Sequence, residues 1–120
     1  MQFDQYQRLA IRTAKSLGET GDLLHSALGV AGEAGEYVDC IKKFTVYGKP
    51  LDKANATEEL GDLLWFIALG CQTLGVSMDT VAQENIGKLR LRYPEKYSDE
   101  LAALRMDKEQ TDIEFKEASK

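Results

Sequence analysis

From residue 58 to residue 71 the chain reads EELGDLLWFIALGC. After Asp62 this stretch is apolar nearly all round a helical wheel. A helix of that kind is buried on most of its sides rather than lying on a surface. The segment therefore requires partner helices, and it carries two acids, Glu59 and Asp62, into their midst. Any fold for this chain has to satisfy both demands.

The rest of the sequence supplies helical partners. Phe3, Tyr6, Leu9, Ala10, Thr13, Ala14 and Leu17 recur at intervals of three and four and predict a helix over 4–17, with Asp4 as its N-cap. The GETGD break follows, with Thr20 or Asp22 as the next cap, and a second helix is expected over 23–44. There Leu24, Ala27, Leu28, Ala31, Ala34, Val38 and Ile41 share one arc. Gly48 and Pro50 stop that helix. The apolar stretch belongs to a third helix over 53–74. A fourth, over 79–92, ends before Pro94, and a short one is expected near 99–106. No strand and no internal repeat is evident. The chain has 120 residues and only two prolines. The expectation is an all-α, four-helix bundle-like subunit over 1–97 with a charged C-terminal extension over 98–120.

Composition narrows the function classes. A net charge of −5 disfavours sequence-independent binding to nucleic acid, which needs a basic surface. No apolar run reaches the roughly 20 residues of a membrane helix. The start MQFDQYQ lacks the basic and apolar regions of a signal peptide. Cys40 and Cys71 form no CxxC pair and read as small buried hydrophobes in a reducing cytosol. His25, the single histidine, reads as structural, and no Glu-x-x-His motif of a di-iron bundle is present.

The chemistry-bearing pattern is a doubled pair of acids. Glu33 and Glu36 lie three apart and project from one side of the second helix, and Glu59 and Asp62 repeat that spacing on the third. Asp62 and Glu59 share a face with Phe66. Glu33 and Glu36 fall beside Gly29, Gly32 and Cys40, away from the aliphatic arc. Each helical glycine costs about 1 kcal/mol relative to alanine. That cost is accepted where a ligand or another backbone must come close. The glycines are thus expected to let the two acid pairs meet. Acids at this spacing are commonly just a solvated face, but the third helix has almost no polar face to solvate them. Four clustered carboxylates raise one another's pKa, and a divalent cation would relieve the conflict. Oxygen-only ligation favours Mg²⁺ or Mn²⁺. Lys42 and Lys43 close the second helix, where they also suit the helix dipole. Asn85, Lys88 and Arg92 form a polar, basic stripe on the fourth. Such groups beside a metal are suited to phosphates. Trp65 and Phe66 read first as core, with base stacking a lesser option for Trp65. Tyr6 suits a core or a nucleobase pocket.

Taken together, GEAGE, EELGDLLW and NIGKLRLRYP resemble the all-α nucleoside triphosphate pyrophosphohydrolases of the MazG type. Their signature is E-x-x-E, a spacer, E-x-x-D, and a helix with Asn and Lys ending near RYP. The spacer between Glu36 and Glu59 is 22 residues here. The likeness covers roughly residues 3–97, and the tail after Ser98 matches no motif. The resemblance implies that Glu33, Glu36, Glu59 and Asp62 bind Mg²⁺, with Mn²⁺ a possible substitute, and that one of the glutamates helps activate water. It implies phosphate contacts from Lys43, Asn85, Lys88 and Arg92. The reaction implied is water attack on the α-phosphorus of a nucleoside triphosphate, giving a monophosphate and pyrophosphate. It further implies a homodimer or homotetramer, and the composition adds the expectation of a cytoplasmic protein acting without nucleic acid or membrane. The competing reading from the residues is a non-catalytic helical adaptor whose charged tail recruits a partner.

Overall fold

The computed structural model describes residues 1–108. Its helices in chain order are α1 (Phe3–Ile11), α2 (Glu19–Thr45), α3 (Lys53–Leu74), α4 (Met78–Arg92) and α5 (Asp99–Leu104). Among the described residues there is no strand, so the all-α expectation holds. No single helix among them is long and apolar enough to cross a membrane. The chain divides into two compact units, Met1–Asp79 and Thr80–Lys120.

In the first unit α3 packs along α2 on one side and against α1 on another. Ala10, Ala68, Cys71 and Met78 form the buried centre, with Tyr6, Leu64 and Trp65 against it. Both cysteines are buried and free. The bounds of α3 follow from its caps. Asp52 Oδ1 accepts the Asn55 N–H at 3.0 Å, which satisfies one of the orphan donors of the first turn. At the other end Gly75 takes φ 71°, a left-handed turn that glycine adopts without strain.

Helix α1 stops at Ile11, six residues short of the expectation from periodicity. The reason is competition for one carbonyl. Ala10 O accepts from the Thr13 N–H, from Thr13 Oγ1 and from the Trp65 indole Nε1. Those partners replace the Ala14 amide that a continuing helix would bring. Asp4 does not cap α1. Its Oδ1 accepts the Asp79 N–H at 3.0 Å, and Gln7 Oε1 accepts the Met78 N–H at 2.7 Å, so α1 caps the start of α4. At the start of α2 the cap position is Gly18. Asp22 lies inside the first turn and reaches back to the Leu17 N–H at 2.8 Å and Ser16 Oγ at 2.9 Å.

Among the described residues the aliphatic arc of α2 is left largely uncovered. Leu24, Leu28 and Val38 are 59%, 63% and 61% exposed. Nor is α3 buried on most sides, since Leu60 and Ile67 are also exposed. Among the described residues α1, α2 and the start of α4 pack on α3, which is too few neighbours to cover an all-round apolar helix and the arc of α2 as well.

Candidate active site

The carboxylates converge between α2 and α3. Oxygen atoms of Glu33, Glu59 and Asp62 all lie within 4.8 Å of one another. Glu33 and Glu59 are half-buried and Asp62 is exposed. Glu36, one turn further along α2, is exposed and stands outside this trio. Its charge still reaches Glu59. Burial pushes the Glu59 carboxyl above its ordinary range. A hydrogen bond and the charge of Glu33 raise it further, and Glu36 and Asp62 add to the effect. The site therefore holds uncompensated negative charge, the condition that a cation relieves. Around an octahedral cation with bonds of 2.0–2.1 Å, ligand oxygens lie about 3.0 to 4.2 Å apart. The spread of the trio fits one such ion with small side-chain adjustments.

Of the three glycines, Gly29 makes the expected close approach, to an aromatic side chain. A Cβ on Gly29 would lie 2.0 Å from Phe66 Cδ1 and 2.2 Å from Cε1, so this glycine makes room for the Phe66 ring. Gly32 and Gly35 face open space, with nothing within 4 Å of a Cβ at either position. His25 and Trp65 meet Phe66 edge-on, with ring centroids 5.3 and 5.0 Å from it. His25 is thus a packing partner. Trp65 is an anchor, its indole N–H donating to Thr13 Oγ1 at 2.8 Å. Tyr6 is half-buried against the core, and burial followed by the charge of Asp62 raises its pKa. It stands near the acids, a position that its helical periodicity did not reveal.

The candidate phosphate contacts are differently placed. Lys43 Nζ sits 2.9 Å from Asp39 Oδ2, and Lys42 Nζ sits 3.4 Å from Oδ1 of the same residue. The hydrogen bond and charge of Asp39 raise the Lys43 pKa. This pairing was legible, since Asp39 precedes Lys43 by the four residues that set side chains together on a helix. Asn85 and Lys88 are exposed on α4 in the second unit. Arg92, also in that unit, is engaged by Asp107 through Nε at 2.8 Å and Nη2 at 2.9 Å. Asp107 lies within a charge-dense tail, and no local spacing singles it out.

Comparison with known proteins meets this geometry at the same residues. The MazG nucleotide pyrophosphohydrolase domain matches residues 23–97, which include both acid pairs and the Asn85–Lys88 stripe. The chain belongs to the MazG family. The Gene 37 protein of Mycobacterium phage L5 is 35% identical over 104 residues, covering 77% of this chain and 89% of its relative. That name carries no activity. No solved structure matches the chain. The MazG match spans α2, α3 and α4 and leaves α1, which supplies Tyr6 and the caps of α4, outside it.

Proposed function

We propose that this MazG-family chain is a divalent-metal-dependent nucleoside triphosphate pyrophosphohydrolase. The observation that carries the reading is the meeting of Glu33, Glu59 and Asp62 across α2 and α3, with Glu59 held above its ordinary range. Those three and Glu36 are the residues that would hold Mg²⁺, with Mn²⁺ as a substitute. Bound there, the metal supplies charge neutralisation and a lowered pKa for water. One of the glutamates would in addition orient the attacking water and take its proton. The new bond forms between the water oxygen and the α-phosphorus. The bond from that phosphorus to the bridging oxygen breaks, and pyrophosphate leaves.

Lys43, Asn85, Lys88 and Arg92 are assigned to the phosphates. The ion pair of Lys43 with Asp39 is exposed on both sides, and pairs of that kind are readily given up. A second copy of the chain is the partner assigned to the bare arc of α2. Leu24, Leu28 and Val38 repeat there at helical spacing and remain exposed. Light scattering on the wild type and on Leu28→Glu tests this, and a monomeric wild type refutes it.

The deciding experiment is product analysis. Purified protein is incubated with each canonical ribo- and deoxyribonucleoside triphosphate, with Mg²⁺ and then with EDTA. Monophosphate plus pyrophosphate, abolished by EDTA, is the expected result. Diphosphate plus phosphate would place the attack at another phosphorus. Turnover that survives EDTA or Glu59→Gln would remove the carboxylate site from the chemistry.

A further inference from the structure

After α4 the described chain turns back onto it through one carboxylate. Asp107 is buried, and its two oxygens accept from Arg92 Nε at 2.8 Å and Nη2 at 2.9 Å. Two parallel bonds to a guanidinium are the geometry by which arginine grips carboxylates and phosphates alike. Asp107 thus fills the fork that a phosphate would fill. A second cation stands by, since Arg105 Nε lies 3.6 Å from Asp107 Oδ1. The two arginines differ in access. Arg92 has 19% of its side chain exposed and Arg105 has 46%.

The turn that presents Asp107 is itself unusual. Arg105 takes φ 52°, the single non-glycine residue in the left-handed region among the described residues. It ends α5, which opens on Ser98 with Oγ accepting the Leu101 N–H at 3.1 Å. Left-handed backbone is disfavoured for arginine and persists where neighbouring contacts hold it. Here the short helix and its left-handed end place Arg105 and Asp107 together on Arg92.

We propose that the segment 98–108 is an autoinhibitory strap in which Asp107 competes with substrate phosphate for Arg92. In the free chain Asp107 occupies the guanidinium. Phosphate, with more charge and more oxygens, displaces it, and Arg105 keeps the released carboxylate neutralised. The inference rests on the assignment of Arg92 to the phosphates in the proposed function. A binding-competent form that is only fractionally populated weakens apparent affinity by that fraction, so a strap closed nine-tenths of the time costs about tenfold.

The test titrates the full chain with inorganic tripolyphosphate in Mg²⁺, by calorimetry, with KM for a nucleoside triphosphate measured in parallel. Asp107→Asn should tighten tripolyphosphate binding several-fold, and the gain should vanish in the Arg92→Ala background. Unchanged or weaker binding in Asp107→Asn makes the pair a structural clamp and overturns the proposal. So does a failure of both wild type and Asp107→Asn to bind tripolyphosphate. If Asp107→Asn does not fold, Asp107→Ser takes its place, and an affinity no tighter than that of wild type overturns the strap. The two readings separate cleanly. Wild type that hydrolyses no nucleotide while Asp107→Asn still tightens tripolyphosphate would sink the proposed function and leave the strap standing.

Discussion

Gly29→Ala is the sharpest test of how the carboxylate site is held together. The added Cβ would stand 2.0, 2.2 and 2.3 Å from three atoms of the Phe66 ring. Real Cβ contacts do not occur at such distances, so ring or helix must move. The ring has little freedom, because His25 and Trp65 meet it edge-on. Overpacking of this kind costs about 1–3 kcal/mol. Alanine returns about 1 kcal/mol of helix propensity. The net expectation is a loss of about 1 kcal/mol, or a few degrees in Tm for a chain of this size. Urea melts followed by Trp65 fluorescence read the transition close to the perturbed ring. The internal control is Phe66→Ala. With the ring gone the clash disappears, and Gly29→Ala should then stabilise by up to about 1 kcal/mol. Gly35→Ala, which meets nothing within 4 Å, should stabilise in the wild-type background as well. Equal destabilisation by Gly29→Ala with and without the Phe66 ring would refute the argument.

Three further outcomes follow from the geometry. Because the Glu59 carboxyl is raised above its ordinary value of 4.5, the folded chain holds that proton more tightly than the unfolded one. The associated stability is present below that value and lost as pH rises through the raised pKa. In EDTA, Glu59→Gln should therefore gain stability over wild type as pH rises toward 7, and Mg²⁺ should raise Tm in wild type but not in the variant. Parallel Tm–pH curves for the two would contradict this. Trp65→Phe keeps a ring but removes the indole donor shared by Thr13 Oγ1 and Ala10 O. It should cost about 1–2 kcal/mol in urea melts followed by circular dichroism, and a loss below the error of the fit would count against the anchor role. Asp52→Ala removes the cap of α3 and should cost about 1 kcal/mol by the same measurement.

Local signals set what was legible. The bounds of α3 could be read because Asp52 and Gly75 act on their own neighbours. The true end of α1 could not be read, because the residue that competes for Ala10 O is Trp65, 55 positions away. The acid pairs were visible as spacing, but spacing did not show that Glu33, Glu59 and Asp62 come together while Glu36 stands outside them. The role of Gly29 was hidden, since nothing in the sequence around it names Phe66 as the ring that lies on it. The aliphatic arc of α2 was recognisable as a buried-type face, but the sequence does not say which chain covers it. Asp107 was the least visible. It partners Arg92 across 15 residues in a segment where charge is everywhere.

The packing contact and the chemical contact are one register. Phe66 follows Asp62 by one helical turn on α3, and Gly29 precedes Glu33 by one turn on α2. With Phe66 seated on Gly29, a step of four along α2 is matched by a step of four back along α3, and Glu33 meets Asp62 and Glu59. Ser26 against Gly70, 3.4 Å from where a Cβ would stand, continues the same antiparallel register in the other direction. A slip of one residue on either helix would turn its face by about 100° and carry the carboxylates apart. The ring on the glycine is therefore what makes repulsion among the acids tolerable before any cation arrives. It fixes the helices through apolar contact one turn away from the charges, so the trio need not contribute to its own assembly. That division explains why, of the three glycines around the acids, the crowded one is Gly29, a turn away from Glu33, while open space lies over Gly32 and Gly35.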